Sequence, residues 1–409
     1  MKKTKYMFSI YAGATPDSKN SEYWDGDIIW ITPADYKTTD KYISCGAKSL
    51  TKAGYNASNT TIVPAGSIIV SKRAPIGTVS IAEVPLCTNQ GCLSCVPNDD
   101  VDSSFAYYAL SSMSDEMQVL GAGTTFKEIS ANAFANMKIP YFPLPEQQTI
   151  VRYLDAKCAA IDEAIERHKK IIEKLEEHRK ASAFNAVTKG ISHSTLKPSG
   201  EEWLGDIPEH WSVQRNWALF KEVNERGNDN LPILTVSINT GISDRELSDD
   251  ESDRVFVRSA DKSKYKRVQP GDIAYNMMRA WQGAFGTARV EGMVSPAYVT
   301  VRPIKKIDSR YYEYLMRSDS ASQEFEKYSR GITDFRLRLY YPEFSNIKVC
   351  VPPLAEQKEI ADRLDDLYKK TDIAVARANA IIAKLEEYRK SLIYNVVTGK
   401  IDCRTETQA

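Results

Sequence analysis

Cys87, Cys92 and Cys95 form the first arrangement that could do chemistry, because a Cys-x4-Cys-x2-Cys run offers the thiolates that zinc takes. A fourth ligand is missing nearby, since all four histidines (His168, His178, His193 and His210) lie beyond residue 160. The run therefore reads as thiols packed on strands. Thr398-Gly399-Lys400 matches only the end of a phosphate-binding loop and lacks the rest of it. No Asn/Asp-Pro-Pro-Tyr/Phe motif for amino-methyl transfer is present, and Val351-Pro352-Pro353-Leu354 only precedes a helix. Carboxylates followed by Glu-x-Lys arise by chance in a chain this charged, and none has the strand context of a nuclease. His168 falls in a helical seam and reads as structural. The expectation is a chain without a catalytic residue, metal or cofactor of its own.

The elements that would position any site come from a chain of 409 residues, which suggests two to four units at roughly 100–200 residues per domain. Apolar residues make up 42%, enough for real cores, so wholesale disorder is excluded. Lys plus Arg and Asp plus Glu each number 54, giving zero net charge. That excludes a polybasic nucleic-acid binder and leaves only local patches for such contact. Seven cysteines without framework spacing do not resemble a secreted disulfide scaffold. The basic start Met1-Lys2-Lys3-Thr4-Lys5 is not followed by a signal-peptide core, and no stretch approaches the roughly 18 apolar residues of a membrane span. The expected setting is soluble and cytoplasmic.

An internal repeat organises the chain. Leu144-Pro145-Glu146-Gln147-Gln148-Thr149-Ile150 returns as Leu354-Ala355-Glu356-Gln357-Lys358-Glu359-Ile360, an offset of 354 − 144 = 210. Ile171–Lys180 matches Ile381–Lys390 and Asn185-Ala186-Val187-Thr188 matches Asn395-Val396-Val397-Thr398 at the same offset. A period this long means two large units.

Both copies are helical by pattern. Leu154, Cys158, Ile161, Ile165, His168, Ile172 and Leu175 step by four and three, as do Leu364, Tyr368, Thr371, Val375, Ala378, Ile382 and Leu385. That 3.5-residue repeat is a coiled-coil seam. Pro145 suits a first turn, and Gly190 and Gly399 suit the C-terminal ends. About 40 helical residues would run about 60 Å. Each helix would leave an apolar stripe in water, and the other copy is the favoured cover; packing of each on its own domain is the alternative.

The preceding segments correspond more weakly. Val63–Val70 resembles Val268–Tyr275 as a turn into an apolar run, and Asp102–Tyr108 resembles Asp308–Tyr314 as a helix start. Gly121–Phe126 stands where Ser329–Phe335 stands in the second copy. Short strands, Gly turns and one interposed helix suggest α+β domains of about 140 residues. The expected divisions are a first domain at 1–143, a long helix at 144–191, a linker at 192–210, a second domain at 211–353 and a second long helix at 354–402. The linker reading rests on Ser, Gly, Pro and charge; Trp203, Trp211 and Trp217 anchor part of it.

The segment from Leu196 to Trp211, containing Trp203-Leu204-Gly205-Asp206-Ile207-Pro208-Glu209-His210-Trp211, resembles the lead-in to a target-recognition domain in Type I restriction-modification specificity subunits. Val268-Gln269-Pro270-Gly271-Asp272-Ile273, the Pro143-Leu144-Pro145-Glu146-Gln147-Gln148 run and its counterpart at Leu354 resemble further hallmarks. Gly13-Ala14-Thr15-Pro16, Tyr23-Trp24-Asp25-Gly26-Asp27-Ile28 and Trp30 are similar to one class of first recognition domain. Together these cover nearly the whole chain. The resemblance implies an α+β fold: two α/β target-recognition domains separated by two long antiparallel helices in a pseudo-twofold arrangement. It also implies a non-catalytic subunit that binds double-stranded DNA, two methyltransferase subunits and two motor-nuclease subunits. S-adenosylmethionine, ATP and Mg would act in those partners, with no membrane involved. One departure stands: the first unit lacks the tryptophan-rich lead-in, because Phe8 aligns with Phe220. Either the tail after Gly399 completes that edge or the edge is trimmed.

Under this resemblance, phosphate contacts supply affinity and base edges supply sequence, with Arg or Lys reading guanine and Asn or Gln reading adenine. The first-domain candidates are Lys72, Arg73, Asn89, Gln90, Thr124, Thr125 and Lys127. In the second they are Asn276, Arg279, Ser295, Thr333, Arg336 and Arg338, with the basic run Lys262, Lys264, Lys266 and Arg267 suited to phosphates. Any one of them alone could be a solvated surface group. Trp281 beside Gly283 reads as core. The helix-pair seam is assigned to Ile161, Ile165, Ile172, Leu175, Val375, Ile382 and Leu385. The expected target is bipartite and asymmetric. The competing reading is a helical protein–protein adaptor without sequence-specific DNA binding, and a standalone methyltransferase or nuclease is disfavoured by its missing motifs.

Overall fold

The computed structural model describes residues 1–37, 39–121, 127–192, 194–228, 230–238, 240–246, 264–331 and 337–403. The chain divides into two compact units, one of Met1–His168 with Asn379–Ala409, the other Lys169–Ala378. Both cuts fall inside helices, so the units do not follow the expected bounds: each takes half of either long helix.

In unit 1, β1 (Lys2–Lys3) leads to β2 (Phe8–Ala12), β3 (Tyr42–Ile43), β4 (Ile68–Ser71), β5 (Val79–Ala82) and β6 (Cys92–Pro97). Strands β2 to β6 form one sheet in the order β2-β6-β4-β5-β3. The sheet is antiparallel except at β3, which runs parallel to β5. β4 is buried throughout, as its Ile-Ile-Val run requires of a central strand covered on both faces. Ile68 and Val70 enter the main core while Ile69 enters a second one, the period-2 alternation of a strand. Helix α1 (Ser103–Ser111) starts at Asp102, whose carboxylate accepts from the Phe105 N–H at 3.0 Å. Helix α2 (Ala131–Asn136) leads through β7 (Lys138–Ile139), the partner of β1, to the long helix α3 (Leu144–Lys189).

Unit 2 repeats this plan. β8 (Ser212–Arg215) pairs with β13 (Lys348–Val351), as β1 pairs with β7. β9 (Phe220–Glu222), β10 (Ile273–Asn276), β11 (Phe285–Thr287) and β12 (Tyr298–Pro303) form a sheet in the order β9-β12-β10-β11. The registers correspond: Phe8 faces Pro97 where Phe220 faces Pro303, and Ile68 faces Cys95 where Ile273 faces Val301. Helix α4 (Ser309–Met316) matches α1, and α5 (Leu354–Val397) matches α3.

Repeat-related residues dock the long helices in the same way. Gln147 is fully buried; its amide nitrogen donates to the carbonyls of Asp100 (2.9 Å) and Phe142 (2.7 Å), and its oxygen accepts from Asp102 N–H (2.8 Å). Gln357 donates to Pro352 O (2.8 Å) and accepts from Asp308 N–H (2.9 Å). Two turns further, the Tyr108 hydroxyl donates to Asp155 and that of Tyr314 to Asp365, each at 2.6 Å. Burial raises both phenols and the carboxylate hydrogen bonds raise them further, so they stay protonated donors.

Within each unit the two helix segments run antiparallel. In unit 1, Gly399 lies against Phe142 while Arg389 pairs with Asp162. In unit 2, Val187 O accepts from Tyr311 while Arg179 pairs with Asp372 at 2.8 Å and stacks over Tyr368. The two ion pairs are the same pair under the repeat, because 389 − 179 and 372 − 162 both equal 210. Their carboxylates are exposed, so they set register more than stability. Among the assigned seam residues, Ile161 and Ile165 are buried; Ile172, Leu175, Val375, Ile382 and Leu385 are half-buried.

Residues 194–210, within the segment 192–210 expected as a linker, fold as part of unit 2. Leu196–Pro198 pairs with Asp206–Pro208, and Trp203, Leu204, Ile207 and Trp211 join the core around Val187. Four large apolar side chains outweigh the Ser/Gly/Pro signal. His210 and Trp211 also bind Glu356 through ring nitrogens at 2.7 and 2.9 Å, tying this segment to the first turn of α5. In unit 1 the end of α5 is covered by Ile401, Cys403 and Phe142.

Replacing Gln147 or Gln357 with leucine should cost about 2–4 kcal/mol, since buried backbone groups lose the side chain that satisfies them. Exposed Gln148→Leu should stay within about 0.5 kcal/mol. Urea denaturation of the three variants checks this.

Candidate nucleic-acid interface

The central strand β4 leaves its sheet at Lys72, and backbone bonds gather three loops there. Lys72 N–H donates to Gly91 O (2.9 Å), and Ile129 N–H donates to Lys72 O (3.0 Å). Lys72, Arg73, Asn89, Gln90 and Lys127 thus meet at one end of the sheet. Gly13 lies on the same loops: a Cβ there would fall 2.1 Å from Asn89 O, so only glycine lets the chain pass.

The side chains are not equivalent. Asn89 Oδ1 accepts from Gly91 N–H at 2.8 Å in an Asx turn, which occupies the acceptor half of its amide. Gln90 is exposed and its carbonyl takes the Thr15 hydroxyl. Lys127 is exposed. Lys72 and Arg73 share the carboxylate of Glu128, at 2.8 and 2.7 Å. Those two cations hold the Glu128 carboxyl below its ordinary range, the Lys72 hydrogen bond contributing most. Thr124 and Thr125 lie outside the described residues.

Unit 2 builds the same end from different residues. Leu339 N–H donates to Met277 O at 2.9 Å, the counterpart of Ile129 on Lys72. Asn276 Oδ1 accepts from Met278 N–H (3.0 Å), and Ser295 Oγ accepts from Ala297 N–H (3.3 Å), so both brace their own turns. Arg279 is half-buried, with no side-chain hydrogen bond or ion pair among the described residues. Arg338 pairs with Arg330 through the backbone and donates to Leu337 O at 3.0 Å. Lys264 is exposed. Lys266 is turned inward: its ammonium donates to Tyr298 O at 2.7 Å, and burial lowers its pKa, so it braces the fold rather than facing a phosphate. Lys262, Thr333 and Arg336 lie outside the described residues. Trp281 is half-buried against the core, its indole donating to Met278 O at 3.2 Å.

The three clustered cysteines separate on folding. Cys92 and Cys95 enter different cores on opposite faces of β6, and Cys87 enters a third. Burial pushes the Cys87 thiol up to about 11 and Cys92 up to about 12. Among the described residues no group of three or more His, Cys, Asp or Glu is disposed to hold a metal ion. A cavity of about 470 Å³ in unit 2, bordered by Phe184, Trp203, Asp206 and Lys327, contains none of the candidate residues.

Sequence reasoning missed Glu128, whose role depends on two loops meeting, and the Arg302 network. Arg302 binds Asp272 through two bonds of 2.8 Å and also binds Glu225; Asp272 is only 2% exposed. The Asp272 and Glu225 hydrogen bonds raise the Arg302 guanidinium pKa. The corresponding residues of unit 1 are Ser67 and Val96, so the ion pair is particular to unit 2. Asp272 is the aspartate of the Gln-Pro-Gly-Asp-Ile hallmark, a signal that pointed to this place without giving its role.

Two α+β units built on one plan, with unlike loops at equivalent sheet ends and like helices beneath, define a two-domain recognition scaffold. The chain belongs to the family described as Type I restriction modification DNA specificity domain, which matches residues 1–177 and 203–383. It is 38% identical over 228 residues to the Type I restriction enzyme MjaIX specificity subunit of Methanocaldococcus jannaschii; this match spans 54% of the chain and about half (51%) of that relative. It is 24% identical over 377 residues to the EcoKI specificity subunit of Escherichia coli K12, covering 87% and 77% of the two chains. Among solved structures, the HsdS subunit of Thermoanaerobacter tengcongensis shares the fold with a TM-score of 0.54 at 16% identity, over 98% of this chain and 96% of that one. A chain from a structure of type I R-M complex assembly reaches a TM-score of 0.69 at 14% identity, over 98% and 97%.

Arg302→Val alone should destabilise unit 2 by about 3 kcal/mol, because Asp272 stays buried without its counter-ion. Adding Asp272→Ser, which copies the unit 1 pair, should recover most of that loss. Chemical denaturation of the single and double variants measures both steps.

Proposed function

We propose that this chain is the DNA-recognition subunit of a Type I restriction-modification complex, reading one block of a bipartite, asymmetric duplex target with each unit. The observation that carries this is the division of labour under the repeat. Residues shared by the two copies, such as Gln147 and Gln357 or Tyr108 and Tyr314, build the frame. Residues that differ, such as Lys72-Arg73 against Met277-Met278, stand at the loop cluster. A frame with two unlike readers would give two unlike half-sites. Nothing in the comparisons favours a helical adaptor that binds only protein.

On this reading the chain supplies recognition and no catalytic group. Two methyltransferase subunits and two motor-nuclease subunits would bring the chemistry, together with S-adenosylmethionine, ATP and Mg. Assembly would take place in the cytoplasm, and no helix among the described residues is long and apolar enough to cross a membrane. With zero net charge, the long-range attraction for DNA is weak, and phosphate contact falls to local cations such as Lys127.

Co-expression with methyltransferase subunits followed by methylome sequencing should reveal one bipartite motif. Exchanging residues 211–353 for those of another specificity subunit should change one block and leave the other; a change in both blocks, or neither, would refute the reading. In the assembled complex, Lys127→Gln should reduce the slope of log K against log salt by about 1, whereas Lys266→Gln should leave it unchanged.

A further inference from the structure

Arg73 and Glu128 are joined twice. Their backbones form an isolated antiparallel bridge, and Arg73 Nε donates to Glu128 Oε2 at 2.7 Å. The other carboxylate oxygen takes Lys72 Nζ at 2.8 Å, so both oxygens of Glu128 hold a cation. The three side chains differ in exposure: Lys72 is 13% exposed, Glu128 32% and Arg73 45%. Lys72 is thus the inner member of the clamp and Arg73 the outer one. The loop is also tied from inside, since Ser71 Oγ lies 2.6 and 2.7 Å from the carbonyls of Arg73 and Pro75.

An arginine pinned at Nε retains its two terminal nitrogens. Among the described residues these terminal groups of Arg73 make no hydrogen bond or ion pair. A guanidinium fixed at one edge and open at the other is a planar two-donor fork held ready, the shape that reads the O6 and N7 acceptors of guanine. Fixing it beforehand reduces the conformational entropy lost when DNA binds. Glu128 has a second effect: it offsets one of the two positive charges of the clamp, so the fork draws a phosphate less strongly than two unpaired cations would.

Among the described residues the second unit shows no such clamp at this place. The residue equivalent to Glu128 is Arg338, and those equivalent to Lys72 and Arg73 are Met277 and Met278, as the matching bonds of Ile129 to Lys72 and Leu339 to Met277 show. Whatever the clamp reads therefore belongs to one half-site only.

We propose that Arg73 is a specificity-determining residue for a guanine in the first half-site, with Glu128 as its positioning residue and Lys72 as the inner counter-charge of that clamp. This rests on the DNA-recognition reading above and adds the base type, the residue and its support.

The test uses the methyltransferase complex assembled with the full chain, with binding to fluorescent duplexes measured in competition. The competitors carry every single-base change in either block of the target found by methylome sequencing. Arg73→Ala and Arg73→Lys should both remove discrimination at one guanine of the first block, by roughly five- to hundred-fold, because lysine keeps the charge and loses the fork. Glu128→Gln should reduce discrimination at that same guanine while binding to non-target duplex stays equal or rises. Glu128→Asp should lie between it and the parent. A merely structural Glu128 would weaken all duplexes together and lower thermal stability in proportion, and that outcome overturns the proposal. So does an unchanged first-block profile in the Arg73 variants while the parent complex still reads its bipartite target. A parent complex without sequence preference would instead overturn the recognition reading itself, and the proposal with it.

Discussion

A buried glutamine decides where each long helix leaves its sheet. Gln147 and Gln357 each satisfy backbone groups of the connection that precedes α1 or α4, in a site closed to water. An amide so placed has one good orientation, and shifting the helix would leave carbonyls and N–H groups without partners, at a cost of about 1–3 kcal/mol each. Tyr108 to Asp155 and Tyr314 to Asp365 then hold the helix two turns further on. Everything beyond follows the helix axis, including the register set by Asp162 with Arg389 and by Arg179 with Asp372. The loop cluster of each unit is therefore placed by interactions that contain none of the reading residues.

This separation explains why the two copies could diverge so unevenly. The latch depends on residues at fixed spacing from the helix start, and a change there acts on folding. The loops after β4 and β10 are joined to residue 129 or 339 by a backbone bond, which any side chain can accompany. Lys72 can become Met277 and Glu128 can become Arg338 without disturbing the sheet. Each unit also tolerates a different interior at matching positions, Ser67 with Val96 in one and Asp272 with Arg302 in the other.

The elements legible in the sequence were those whose signal is periodic or repeated. The repeat, the 3.5-residue seam and the glycines at 190 and 399 located the long helices, the first ending at Lys189 and the second at Val397, five residues before its expected bound of 402; both glycines adopt the left-handed φ of +75° that closes a helix. The turn before Ile68 and the helix start at Asp102 were legible for the same reason. Segment 192–210 was legible only in part: its composition is that of a linker, while Trp203, expected to anchor it, is joined in the core by Leu204, Ile207 and the adjoining Trp211. Lys266 looked like a phosphate contact within a basic run, yet the strand directs it onto Tyr298 O. The pairing of Lys72, Arg73 and Glu128 joins residues more than fifty apart in the chain, and no local pattern announces it.

The balanced charge of the chain is best understood through where its charges lie. Many of its cations are held by carboxylates within the frame: Arg302 by Asp272 and Glu225, Arg310 by Asp308, Asp362 and Asp365, Lys41 by Asp155. A cation so paired contributes little field beyond a Debye length of about 8 Å and so attracts DNA only weakly. On the recognition reading proposed above, what would remain for a duplex is a small number of directed groups at the loops, the open edge of Arg73 and the exposed Lys127 among them. Directed groups discriminate and unpaired charge merely attracts, since phosphate contacts carry no sequence information. If partner subunits also held the duplex, as the proposed assembly would allow, the chain could leave attraction to the assembly and keep its own charge neutral. Zero net charge is then compatible with a reader, because what separates a target from every other site is the ratio of specific to non-specific binding and not attraction alone.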